Sequence, residues 1–141
     1  MSRFIVDASV AIKWFVPEIH STEASRLLSA GRELLAPDLL PAEFGNILWK
    51  KTRRGEIQAP KAVEIIRALT EVPIYFTPAS ELLESAYLLA TKFERTVYDS
   101  LYLALALAEE CPMVTADGRL VRSLAGTSLA KSTVWVEDLE P

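Results

Sequence analysis

With 141 residues the chain is long enough for one hydrophobic core and short for two, so a single domain over residues 1–141 is expected. Half the residues are hydrophobic and 24% charged, which excludes a disordered chain, and the net charge of −4 excludes a protein that coats nucleic acid by bulk basicity, though not one that binds it through local patches. The lone Cys111 excludes an intrachain disulfide and a cysteine-based zinc site and suits a reducing cytoplasm, while the longest apolar run, Leu101 to Ala108, is far short of the ~20 residues that span a bilayer.

Phe4-Ile5-Val6 reads as a short buried strand; cut by Asp7 and Lys13, it lacks the uninterrupted core of a signal peptide. Ala8 to Val16 continues as an apolar-rich helical segment that Pro17 ends. His20, the only histidine, falls in the loop after Pro17 and reads as a surface residue. Ser21 is the expected N-cap of a second helix, with Glu23 in its first turn, Leu27 and Leu28 on its apolar face and Gly31 closing it. Leu34-Leu35-Ala36 reads as a second strand. Pro41 suits the first turn of a helix carrying Phe44, Ile47 and Leu48 into the basic end Lys50-Lys51-Thr52-Arg53-Arg54, where cations complement the helix dipole.

Pro60 opens a further helix with Val63, Ile66 and Leu69 on its apolar face, and Ile74-Tyr75-Phe76 reads as a strand. Leu82, Leu83, Ala86, Leu89, Ala90 and Phe93 define another amphipathic helix. Leu101 to Ala108, apolar on nearly every side, predicts a central buried helix. Met113-Val114-Thr115 reads as a buried strand, followed by Asp117-Gly118 and a short helix to Leu124; Val134-Trp135-Val136 reads as the last strand. Strands alternating with helices predict an α/β sandwich, a mainly parallel sheet flanked by helices.

Four acids stand at the starts of predicted helices. Asp7 and Asp117 each follow an apolar strand, which in a parallel sheet places them at the carboxyl edge where ligands bind; Glu43 and Asp99 begin helices that are otherwise largely apolar. Each has an ordinary explanation: Asp7 and Asp117 as N-caps, Glu43 as a dipole-stabilised first-turn acid, Asp99 as the far member of a Thr96-x-x-Asp99 capping box. If the four converge, each pair ~6 Å apart at an effective dielectric of ~20 repels by about 3 kcal/mol, so the cluster needs raised pKa values or a bound cation. Oxygen ligation without histidine or cysteine favours Mg²⁺ or Mn²⁺. Spacing alone leaves both readings open.

The segments Phe4-Ile5-Val6-Asp7-Ala8-Ser9, Pro41-Ala42-Glu43-Phe44-Gly45-Asn46, Tyr98-Asp99-Ser100-Leu101-Tyr102-Leu103-Ala104 and Thr115-Ala116-Asp117 resemble, in order and rough spacing, the acidic motifs of PIN-domain ribonucleases of the VapC subgroup. The resemblance implies that Asp7, Glu43, Asp99 and Asp117 bind one or two Mg²⁺ or Mn²⁺ ions, with Ser9 and Thr115 as supporting hydroxyls. It also implies endoribonuclease activity, often on structured RNA such as tRNA, a small VapB-type antitoxin that blocks the site, and a homodimer.

Lys50, Lys51, Arg53, Arg54, Arg119 and Arg122 are the candidate phosphate contacts; the ordinary reading of the first four is a solvated helix end. Trp14, Phe15 and Trp49 are candidate antitoxin contacts, with core packing as the ordinary reading. Two other readings have a sequence signature of their own. A haloacid-dehalogenase-like phosphatase needs a second Asp where Ser9 stands, and a non-catalytic PIN-fold interaction module should have lost an acid, whereas all four are present.

Overall fold

The computed structural model describes residues 2–141. Five strands, β1 (Ser2–Val6), β2 (Arg32–Pro37), β3 (Ile74–Thr77), β4 (Met113–Thr115) and β5 (Thr133–Trp135), form one sheet in the order β3-β2-β1-β4-β5, every pairing parallel. Parallel neighbours need crossovers, which the helices supply: α1 (Ala8–Ala11), α2 (Ser21–Ser25), α3 (Leu40–Arg53), α4 (Ala59–Thr70), α5 (Ala79–Phe93), α6 (Val97–Glu109) and α7 (Gly118–Leu124). Chain order runs outward on one side of β1 through β2 and β3, then resumes on its other side with β4 and β5. The carboxyl ends of β1 and β4 therefore flank a topological switch point, the place where such sheets bind ligands.

The central strands are apolar because both faces are covered: Ile5, Val6, Leu34, Leu35, Ala36, Met113 and Val114 are all buried. Helix α6 packs against β1, β2 and β4 and buries every residue from Ser100 to Ala106, whereas Leu107 and Ala108, expected to be buried with them, are exposed at its C-terminal end. It forms an antiparallel pair with α5, joined through Glu94 in the left-handed region at φ 54°. Helix α3 carries Phe44 and Leu48 into the core, on the spacing read from sequence.

Several expectations are corrected. The segment after Asp7 is not one helix to Val16: α1 ends at Ala11 and tightens into a 3-10 turn, Ile12–Trp14, which aims the Trp14 indole N–H at the Ala24 carbonyl, 2.9 Å away. Ser21 does not cap α2. Its hydroxyl serves the preceding loop, accepting from the Glu18 N–H at 3.0 Å, and His20 holds the cap position at φ 67°.

Nor is His20 a free surface residue: its Nδ1 lies 3.2 Å from Glu23, its Nε2 3.1 Å from Glu137, and its ring sits edge-on to Trp135. On α4 the buried stripe is Ala62, Ile65 and Leu69, leaving Val63 and Ile66 exposed; Leu28 and Leu83 are exposed as well. The last strand ends one residue early, and Val136 begins a 3-10 turn.

Candidate active site

The register of the sheet builds the centre of the site. Val6 pairs with Val114, so the residues that follow, Asp7 and Thr115, emerge side by side at the carboxyl edge. The Thr115 hydroxyl donates to Asp7 Oδ2 at 2.6 Å, and the Ser9 hydroxyl donates to Oδ1, also at 2.6 Å. Those hydroxyls accept in turn from the backbone, Thr115 Oγ1 from the Asp117 N–H and Ser9 Oγ from the Ala116 N–H. The turns after β1 and β4 are thereby cross-linked through one carboxylate.

Asp7 also accepts from the Val10 N–H, the N-cap bond of α1, and is only 8% exposed. Burial pushes its carboxyl up from the ordinary 3.8 to about 6; the bonds from Ser9, Thr115 and Val10 oppose the rise, and the charge of Glu43 adds to it.

Glu43 reaches the same region from the first turn of α3. The buried Tyr102 hydroxyl donates to its Oε1 at 2.6 Å, a link between α3 and α6. Burial raises the Glu43 pKa, the Tyr102 bond lowers it and the charge of Asp99 raises it. Tyr102 itself is driven far above the ordinary phenol value by burial and by Glu43, so its hydroxyl is always a donor here.

Asp99 stands in the first turn of α6. Thr96 Oγ1 accepts from the Asp99 N–H at 3.1 Å, one half of the expected capping box, but the Asp99 carboxylate turns to the Arg95 guanidinium at 3.0 Å. Asp117 is a true N-cap, its Oδ1 accepting from the Arg119 and Leu120 N–H groups. Capping thus accounts fully for neither Glu43 nor Asp99.

All four acids line one cavity of about 480 Å³, together with Ser9, Asn46, Lys50, Tyr98 and Tyr102. Among the described residues no three acids are gathered closely enough to enclose a metal ion as they stand. Each is held by donors of its own. Sequence reasoning missed Tyr102, Arg95, Asn46 and Tyr98 as participants. Helical spacing held the signal for two of them: Asn46 lies three residues beyond Glu43, and Tyr102 three beyond Asp99, on the same helix faces.

The basic residues separate. Lys50 lines the cavity, whereas Lys51 is tied to Glu18 at 3.1 Å, Arg53 lies over the Trp49 ring and Arg54 faces Glu56. Arg119 and Arg122 are exposed on α7. The aromatic trio separates too. Trp14 and Phe15 are half-buried against the core, Phe15 edge-on to both Trp14 and Phe44, while Trp49 is 53% exposed.

The model of the PIN domain matches residues 4–124. Ribonuclease VapC3 of Pyrobaculum aerophilum is 36% identical over 120 residues, covering 84% of this chain and 92% of the relative. Ribonuclease VapC1 of Mycobacterium tuberculosis is 32% identical over 121 residues, covering 85% and 90%. Among solved structures, PAE2754 from Pyrobaculum aerophilum shares the fold with a TM-score of 0.67 at 24% identity, over 98% of this chain and 86% of that one. A domain match that spans both strand-Asp turns and the two helices bearing Glu43 and Asp99, with relatives of this name along most of its length, shows that the chain belongs to the PIN-domain family and to its VapC ribonucleases.

Proposed function

We propose that this chain is an endoribonuclease that hydrolyses RNA phosphodiester bonds at the acid-lined cavity with the help of Mg²⁺ or Mn²⁺, as the toxin of a type II toxin-antitoxin pair. One observation carries the reading: Asp7, Glu43, Asp99 and Asp117, from four separated segments, line a single cavity. The donors fit a hard cation, being carboxylate oxygens without histidine or cysteine. Burial raises the pKa values of Asp7 and Glu43, so a nearby cation would offset the cost of keeping both charged.

Asp7, Glu43, Asp99 and Asp117 would hold one or two such ions, which when bound lower the pKa of water and offset charge on the phosphate. The protein's own part is orientation. Ser9 and Thr115 fix both oxygens of Asp7, Tyr102 fixes Glu43 through its donated hydrogen bond, and Lys50 at the cavity wall meets a phosphate flanking the cut. His20 is engaged by Glu23 and Glu137 elsewhere, so no imidazole acts as acid or base.

The remaining candidates belong to the same reading. Arg119 and Arg122, exposed on α7, remain candidate phosphate contacts, whereas Lys51, Arg53 and Arg54 are engaged by Glu18, Trp49 and Glu56. Trp14, Phe15 and Trp49 offer apolar contacts to a small VapB-type antitoxin that covers the cavity, and the VapC membership supports a homodimer. No helix among the described residues is long and apolar enough to cross a membrane.

The test is direct. Purified protein is incubated with an RNA pool in Mg²⁺ or in EDTA, alongside Asp7→Asn and Asp99→Asn. Cleavage should require the ion and be lost in both variants; cleavage that persists in EDTA or in both variants refutes the metal-dependent mechanism.

A further inference from the structure

We infer that Tyr98 is the base-stacking platform of this cavity and, with Asn46, sets which nucleotide is accepted beside the cut; the inference rests on the ribonuclease reading above. Tyr98 is the second residue of α6, next to Asp99, and is 62% exposed. Exposure alone says little, since Tyr75 and Tyr87 are equally exposed. Of those three rings, Tyr98 is the one that lines the acid cavity. Among the described residues it pairs with no other aromatic ring, and more than half of the residue is exposed.

The α3 wall of the cavity is made by Glu43, Asn46, Ile47 and Lys50, spaced so that they form one stripe of the helix. A cavity of about 480 Å³ falls within the ~300–1,000 Å³ range of small-ligand sites, room for about one nucleotide. The chemistry of the lining divides along such a nucleotide. The acids, with their cation, take the scissile phosphate, Lys50 takes a neighbouring phosphate, and the base needs an uncharged surface. Tyr98 supplies a π-face that any base can use, and the Asn46 amide, donor and acceptor together, reads the base edge. Even with Asp99 paired to Arg95, the carboxylates that line the cavity outnumber its one lysine, so a contact that owes nothing to charge matters here.

Stacking of one base on an aromatic side chain is lost on truncation at a cost of about 5- to 150-fold in affinity. Tyr98→Leu, Tyr98→Phe, Asn46→Ala and, as a distant control, Tyr87→Leu are compared by mapping cut sites in a random-sequence RNA pool with Mg²⁺, with KM and kcat measured on one cleaved oligonucleotide. Tyr98→Leu should raise KM within that range by the same factor at low and high salt, leave kcat largely intact and flatten the base preference at one position flanking the cut. Tyr98→Phe and Tyr87→Leu should behave as the native chain, and Asn46→Ala should alter the preferred base. Binding is read separately: a short 5-iodouridine RNA, irradiated with the protein in Ca²⁺ in place of Mg²⁺ so that a divalent cation offsets the charge of the acids, should cross-link to Tyr98.

An unchanged KM and base preference in Tyr98→Leu, a fall in kcat alone, or cross-linking away from Tyr98 overturns the inference while leaving the ribonuclease reading intact. A native chain that cuts no RNA in the pool overturns both.

Discussion

Replacing Asp7 by Asn should stabilise the metal-free protein at neutral pH while abolishing its activity. The folded carboxyl titrates at about 6 against an ordinary 3.8, because burial disfavours the charged form more than its three hydrogen bonds favour it. A group whose pKa rises on folding contributes stability that is complete below the unfolded value, here 3.8, and is lost as pH climbs through about 6. At ~1.36 kcal/mol per pH unit, the gap between those two values amounts to about 3 kcal/mol of destabilisation carried by the native chain above pH 6.

Asparagine removes that charge but mismatches one partner. Thr115 Oγ1 already accepts from the Asp117 N–H and donates to Asp7, and an amide nitrogen at that position would leave the Thr115 proton without an acceptor, at a cost of about 1 kcal/mol. Asp7→Asn should therefore be about 2 kcal/mol more stable than the native chain near pH 7.5 and about 1 kcal/mol less stable below pH 4, the two curves crossing between. Urea unfolding in EDTA across this range measures it. Millimolar Mg²⁺ should then raise the stability of the native chain more than that of the variant, since ligand binding to the folded state adds stability by mass action. A variant that tracks the native curve at a constant offset, or is the less stable of the two at neutral pH, would refute the idea that Asp7 is a buried charge awaiting a cation.

Tyr102→Phe removes the hydroxyl that holds Glu43 down against burial and the charge of Asp99, so the Glu43 pKa should climb and the acid limb of the pH–rate profile should move to higher pH; an unmoved limb separates Glu43 from catalysis. Glu18→Gln should cost about 2–3 kcal/mol in urea unfolding at neutral pH, because it strands Lys13, which is 8% exposed, and frees Lys51; the value is at the low end for a buried pair because Glu18 is 26% exposed. Burial alone would raise the Glu18 pKa, yet Lys13 and Lys51 hold it below 4.5, so the contribution of this pair should be present above that pH and fade as acid is added. Lys50→Glu should weaken RNA cleavage and flatten its salt dependence far more than Arg54→Glu, since Lys50 lines the cavity and Arg54 faces Glu56; equal effects would mean that RNA crosses the whole helix end.

Much of the fold is legible along the chain because its cause is local. The central strands are unbroken apolar runs since both faces are covered, and α6 is apolar all round since it lies at the centre of the sandwich. Where sequence reading failed, a competing partner, nearby in the chain or distant, overrode the expected preference. Ser21 has the right side chain for a cap but spends it on Glu18 and Val16; the helix after Asp7 tightens early as Trp14 finds the Ala24 carbonyl; His20 is drawn in by Glu137, more than a hundred residues away in sequence. On α4 the apolar positions are dense enough to allow two stripes, and packing buried Ala62, Ile65 and Leu69 rather than Val63 and Ile66.

The residue types and order of the sequence were enough to determine an alternating α/β chain with acids at helix starts, because strand and helix periods and capping preferences act within a few residues. Which groups each acid meets lay beyond it. That was decided by the parallel register of β1 with β4, which sets Asp7 beside Thr115, and by the approach of α3 to α6, which joins Glu43 to Tyr102. Convergence is a relation between segments up to 110 residues apart in the chain, and only the closing of a shared core brings them within hydrogen-bonding reach.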